Sequence, residues 1–141
     1  MTPDQIKLVQ QSFAKLAPIS EQAAVMFYDR LFEIAPAVRA MFPSVMTEQR
    51  RKLMATLAIV VNGLSNLELV LPAAASLATR HVAYGARPEH YPVVGSALLW
   101  TLEKGLGADW TADVADAWTA TYDTLSGFMI AQAYGRPQAA E

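Results

Sequence analysis

Residues 66–85 read NLELVLPAAASLATRHVAYG, and this stretch decides the reading of the chain. Proline suits the first turn of a helix and glycine the position just past its end. Pro72 therefore reads as the opening of a helical stretch that reaches Tyr84 and stops at Gly85. Late in that stretch stands His81, one of two histidines in 141 residues. Taken alone, a histidine on a helix is more often a surface or hydrogen-bonded residue than a ligand. The rest of the chain has to raise or lower that prior.

Helix signals continue on both sides. Thr2, Pro3 and Gln5 have the pattern of a capping box, and Ile6, Val9, Phe13 and Leu16 follow at helical spacing. Pro18 closes this helix, and Ser20 can cap a second one carrying Ala24, Phe27, Tyr28, Leu31 and Phe32. A short helix from Ala35-Pro36 to Phe42 ends at Pro43, and Thr47 can cap a fourth that runs to Asn62-Gly63. Beyond the opening stretch, Ala86 to His90 reads as a loop, and Tyr91-Pro92 starts a sixth helix that fades at Gly105 and Gly107. Thr111 can cap a last long helix, with Asp113 favourably placed against its dipole. No segment alternates with period two as a strand would. The expectation is an all-α chain of about seven helices, one domain over 1–141, with 136–141 as a frayed tail.

Composition narrows the function. Net charge is −2 and the isoelectric point about 5.6, so no global field favours nucleic acid or an anionic membrane. The longest largely apolar run, Leu53 to Val61, is far short of the ~20 residues that a span needs. The N-terminus carries Asp4 early and lacks the apolar core of a signal peptide. A cytoplasmic location is expected, and the absence of cysteine fits it. That absence also removes disulfides, thiolate metal sites and cysteine nucleophiles. Two histidines without a fitting cluster argue against zinc, and neither a nucleophile–His–carboxylate arrangement nor a phosphate-binding glycine loop is seen. A site built on one imidazole remains, and haem is the common cofactor held that way.

The other candidates each have an ordinary reading. Phe42 and the tryptophans Trp100, Trp110 and Trp118, with the methionines, can simply pack the core. Tyr28 needs a partner for its hydroxyl if buried. Gln49 and Leu53 share one helix face, yet Gln49 also fits a solvated polar turn. Arg50, Arg51 and Lys52 read first as a solvated face, and His90 as a cap or turn residue.

In order, FYDRLF (27–32), PAVRAMFP (36–43), QRRKL (49–53), NLELVLPAAASLATRH (66–81) and HYPVVGSALL (90–99) resemble bacterial globins. The likeness is to single-domain haemoglobins of the Vitreoscilla and Hell's Gate types and to the haem domain of flavohaemoglobins. It extends from Thr2 to about Ala131. It implies the globin fold, haem b, and His81 as the iron ligand. Phe42 would stack on the porphyrin, with Leu53, Leu57, Leu77, Tyr91 and Val94 completing the pocket and Lys52 or Arg80 meeting a propionate. Tyr28, Gln49 and Leu53 would face the bound gas. Tyr91 matches a tyrosine that flavohaemoglobins place near the iron-bound histidine. Their accompanying glutamate is missing, because alignment through Trp118 and Tyr122 puts Ala133 there. The free N–H of His81 is then expected to turn to a backbone carbonyl such as that of Leu77.

The resemblance implies reversible binding of oxygen, nitric oxide or carbon monoxide at a five-coordinate ferrous haem, for storage or transport. Nitric oxide dioxygenation is the alternative. No dinucleotide motif or flavin domain is legible, so turnover is expected to need a separate reductase. A haem-free interaction module and a gas sensor rank lower, and a monomer or weak homodimer is expected.

Overall fold

The computed structural model describes residues 1–134, so the tail expected at 136–141 lies outside the described residues. Six α-helices follow one another: α1 Pro3–Leu16, α2 Ser20–Ile34, α3 Thr47–Asn62, α4 Leu67–Ala83, α5 His90–Leu106 and α6 Ala112–Tyr134. The short segment expected before Phe42 is present as a 3-10 stretch, Pro36–Met41. No strand occurs among the described residues.

The helix ends show which local signals govern. Thr2 Oγ1 accepts from the Gln5 amide and Gln5 Oε1 from the Thr2 amide, each at 3.1 Å, which closes the capping box of α1. Thr111 Oγ1 likewise accepts from Val114 N at 3.2 Å. Ser20 and Thr47 do not cap. They occupy the first helical positions, with Ile19 and Met46 ahead of them and no side-chain cap bond. A 3-10 turn, Ala17–Ile19, runs directly into α2, so there is no break in the chain for Ser20 to cap.

The opening of α4 also differs from expectation. The helix begins at Leu67, not Pro72, and Pro72 lies inside it. Proline there withholds one N–H from the carbonyl of Glu68. Both Glu68 and Pro72 are exposed, so water can serve that carbonyl. The far end is as expected. Gly85 at φ 90° allows Ala86 N to reach His81 O and Gly85 N to reach Val82 O, each at 3.0 Å, the paired bonds of a Schellman motif.

Around these helices the core forms from Val9, Leu16, Leu31, Val61, Leu102 and Trp118. Each such side chain contributes about 1.5–3 kcal/mol by leaving water. Trp118 Nε1 donates to Ser12 Oγ at 2.8 Å, and Ser12 donates to Leu8 O at 2.7 Å, so α1 and α6 are tied at a buried polar point. Trp100 departs from the core role expected of it. It is half-buried, with the Arg30 guanidinium 5.0 Å and the Lys104 ammonium 5.9 Å from its ring. Met46 and Met129 are buried, whereas Met1 is exposed.

One feature of the packing positions the site. α2 lies against α5 and α3, α1 against α6, and α4 against α6. Helices α3 and α4, joined only by Gly63-Leu64-Ser65-Asn66, do not pack along each other.

Candidate functional site

On the α3 side, the polar and aromatic candidates come together. α2 places Tyr28 in the core, 5% exposed, and α3 brings Gln49 to it, so that Gln49 Nε2 donates to Tyr28 Oη at 3.1 Å. Burial pushes the Tyr28 phenol up from its ordinary range despite the Gln49 bond, which pulls the other way. The hydroxyl therefore stays protonated at neutral pH and keeps its own proton to donate. Phe42 meets Tyr28 edge-on at 5.5 Å and Phe32 at 5.4 Å, and Phe27 closes the other edge of Tyr28 at 4.9 Å. Leu53 and Leu57 of α3 and Val94 of α5 are half-buried against the same core.

Arg39 holds this corner, and the sequence reading passed over it. Its guanidinium donates to Pro43 O at 2.9 Å, Ser44 O at 3.2 Å and Phe42 O at 3.4 Å, and lies 5.1 Å over the Phe32 ring. The available signal was a basic residue in the last turn before Phe42-Pro43, where free carbonyls need donors.

On the α4 side, His81 is half-buried and its Nδ1 lies 2.8 Å from Leu77 O, the carbonyl one turn back that the sequence points to. Taking that nitrogen as the donor leaves Nε2 free to coordinate. The Tyr91 ring lies at 6.2 Å and 29° to the imidazole, a stacked arrangement. Tyr91 is buried with Ala78 and Met129, and Leu77, Leu125, Phe128, Ile130 and Ala133 pack on them. Its hydroxyl has no hydrogen-bond partner among the described residues. Ala133, at the position where the resemblance implies a missing carboxylate, packs on this apolar cluster.

Tyr122 anchors the start of α5 from α6, another contribution that sequence reasoning missed. Its hydroxyl donates to Tyr91 O at 2.6 Å, and burial pushes its pKa far up. Gly95 makes room for it, since a Cβ there would lie 2.6 Å from the Tyr122 ring. Tyr134 at the end of α6 donates to Ala86 O and so secures the loop after α4. His90 opens α5 and accepts the Arg87 amide at 2.9 Å, which makes it a turn residue, as expected.

The charged candidates are not drawn in. Lys52 and Arg80 are exposed, and neither forms an ion pair among the described residues. Arg51 is engaged by Glu48 at 2.9 Å.

The family model for globins matches residues 25–129, which includes both sides of this site. The chain belongs to the globin family. Among its relatives, a flavohemoprotein of Rhodopirellula baltica is 30% identical over 128 residues, covering 89% of this chain and 31% of the relative. One from Bordetella parapertussis is 29% identical, covering 92% of this chain and 33% of the relative. This globin thus spans about a third of the length of the curated relatives it matches. Among solved structures, a bacterial globin from Campylobacter jejuni superposes with a TM-score of 0.83 at 26% identity, covering 94% of this chain and 96% of that one. An engineered carbene transferase, described as a nitric oxide dioxygenase of Rhodothermus marinus, gives 0.85 at 26% identity, covering 100% and 99%.

The residues fit the haem that the resemblance implies. α3 and α4 meet near their junction but do not pack along their lengths, the half-buried imidazole has one nitrogen in a hydrogen bond, and Tyr28, Phe42, Leu53, Leu57 and Val94 belong to one apolar cluster. Among the described residues, no cluster of three or more His, Cys, Asp or Glu competes as a metal site.

Proposed function

We propose that this globin binds oxygen reversibly at a five-coordinate ferrous haem b. The reading assigns His81 as the iron ligand and Phe42, Leu53, Leu57, Leu77, Tyr91 and Val94 as the pocket. Lys52 and Arg80 are exposed side chains available to the propionates. The observation that carries the proposal is His81 itself, with Nδ1 held by Leu77 O and Nε2 unused.

The haem iron supplies reversible coordination of a diatomic gas. The chain's own residues decide which gas is favoured. Haem-bound oxygen would carry more negative character than carbon monoxide, so a hydrogen-bond donor supplied by the chain would discriminate between them. Gln49 uses one amide hydrogen on Tyr28 Oη, and the Tyr28 proton is left for the ligand. A hydrogen bond to a charged group contributes about 1.5–3 kcal/mol, hence a slowing of oxygen release by roughly one to two powers of ten. Stopped-flow oxygen release from the wild type and Tyr28→Phe tests this. A ten- to hundredfold faster release in the variant is expected, and equal rates would remove Tyr28 from the account.

The neighbour described as a nitric oxide dioxygenase, together with the flavohemoprotein relatives, favours a second reading, nitric oxide dioxygenation with a reductase in trans. Sustained nitric oxide consumption with a reductase and reduced nicotinamide would support it; a single stoichiometric burst would leave the carrier. The reading places the protein in the cytoplasm without a nucleic-acid or membrane partner. In its support, the chain carries no cysteine, and no described helix is long and apolar enough to cross a membrane.

A further inference from the structure

Between the 3-10 stretch Pro36–Met41 and α3 the chain has no helix or strand of its own. Phe42 leaves that stretch in an extended conformation, with φ −115° and ψ 155°. Among the described residues, no backbone amide donates to the carbonyls of Phe42, Pro43 or Ser44. The Arg39 guanidinium is what meets all three.

Arg39 is half-buried and forms no ion pair with a carboxylate among the described residues. Its charge is met by the three carbonyls and by the face of Phe32. A guanidinium suits that task, because its planar fork presents five N–H donors and its face stacks on an aromatic ring. An ammonium is a compact point charge and cannot do both at once.

What this clamp holds is aromatic. Phe32 packs against Phe42 at 5.4 Å and Tyr28 at 6.0 Å, and Phe42 meets Tyr28 at 5.5 Å. Arg39 thus grips both the backbone of Phe42 and a ring against which Phe42 packs. Without its side chain, the corner keeps one backbone bond to the preceding stretch, from Phe42 N to Arg39 O at 3.1 Å.

We propose that Arg39 is a positioning residue that fixes the Phe42 ring, and with it the haem face that Phe42 would cover. The haem part rests on the proposed function, whereas the fixing of the ring does not. Labelling with 4-fluorophenylalanine puts a 19F reporter on Phe13, Phe27, Phe32, Phe42 and Phe128. The wild type is expected to give a sharp Phe42 line, assigned with Phe42→Leu. Arg39→Met keeps an apolar stem and removes every donor. It should shift or broaden the Phe32 and Phe42 lines while those of Phe13 and Phe128 hold. Arg39→Lys should restore them only in part. Lines that all stay unchanged, lines that all move together, or full restoration by Arg39→Lys would overturn the proposal. If Arg39→Met fails to fold, Arg39→Lys carries the test alone.

Haem retention is followed in the same proteins by transfer of haem to an excess of an apoglobin acceptor. Loss of hydrogen bonds from a charged group should speed that transfer about tenfold in Arg39→Met. Altered Phe42 lines with equal transfer would overturn the part of Arg39 in holding haem. A wild type that takes up no haem yet gives the expected 19F result would sink the oxygen reading and leave the clamp.

Discussion

On the α3 side of the site, Gln49 donates to Tyr28, and Phe27, Phe32 and Phe42 crowd the phenol from 4.9 to 6.0 Å. On the α4 side, His81 has a backbone carbonyl for its polar partner, and the Tyr91 hydroxyl is buried with none. Two buried tyrosines thus sit in opposite electrostatic circumstances. The first is paired and keeps a proton to offer a ligand. The second sits in an apolar shell whose contribution to His81 is a stacked ring, without a charged partner. In the proposed function this division would give strong hydrogen bonding to the gas and an iron-ligating imidazole without a carboxylate partner, so the electron push that favours O–O cleavage would be weak.

The scaffold of the α4 side gives the largest effect on stability. Gly95→Ala sets a methyl 2.6 Å from the Tyr122 ring, and overpacking of this kind costs about 1–3 kcal/mol. Thermal unfolding should report that loss, and an unchanged midpoint would show that the Tyr122 anchor can yield. Next, one chemical change made on both sides should have opposite signs. Tyr28→Phe removes an acceptor from Gln49 and should destabilise the protein by about 1 kcal/mol. Tyr91→Phe removes an unpartnered buried hydroxyl and should stabilise it by a similar amount, about 1 kcal/mol. Urea midpoints that moved the same way for both would break the comparison.

The smallest effect is confined to alkaline pH. Burial raises the phenol pKa of Tyr28, Tyr91 and Tyr122 above the ordinary 10.0. Above pH 10 the unfolded chain therefore holds fewer protons than the native one, and stability falls with rising pH. The contribution is complete below pH 10 and is lost as pH rises through the raised values. Urea midpoints from pH 8 to 11 should decline at the alkaline end, and less steeply in Tyr122→Phe. An equal decline in that variant would take Tyr122 out of the explanation.

Much of this was legible because it depends on local chemistry. The box of Thr2 and Gln5, the Thr111 cap and the Gly85 stop all act within a few residues of themselves. Tyr28, Gln49, Phe42 and His81 were legible as an ordered set, through resemblance, and not individually. Pro72 misled because a proline six residues into a helix looks locally like a start, and exposure of the preceding turn makes the missing bond tolerable. Ser20 misled because the preceding 3-10 turn left no break in the chain for it to cap, and Thr47 because Met46 takes the cap position and Thr47 the first helical one. The Tyr122 anchor and the unpartnered Tyr91 hydroxyl depend on distances between helices, which no spacing in the sequence encodes, whereas the bonds of Arg39 to carbonyls three to five residues on are local and went unread.

The central claim is that His81 holds a haem iron, and one measurement tests it most directly. Visible absorption spectra would be recorded for the wild type and His81→Gly, oxidised, reduced and reduced then aerated, with and without added imidazole. The account predicts an intense haem band with a persistent oxygenated form in the wild type, loss of normal ligation in the variant, and its return when imidazole fills the gap. No haem uptake by the wild type after reconstitution, or a variant spectrum identical to the wild type without imidazole, would contradict it.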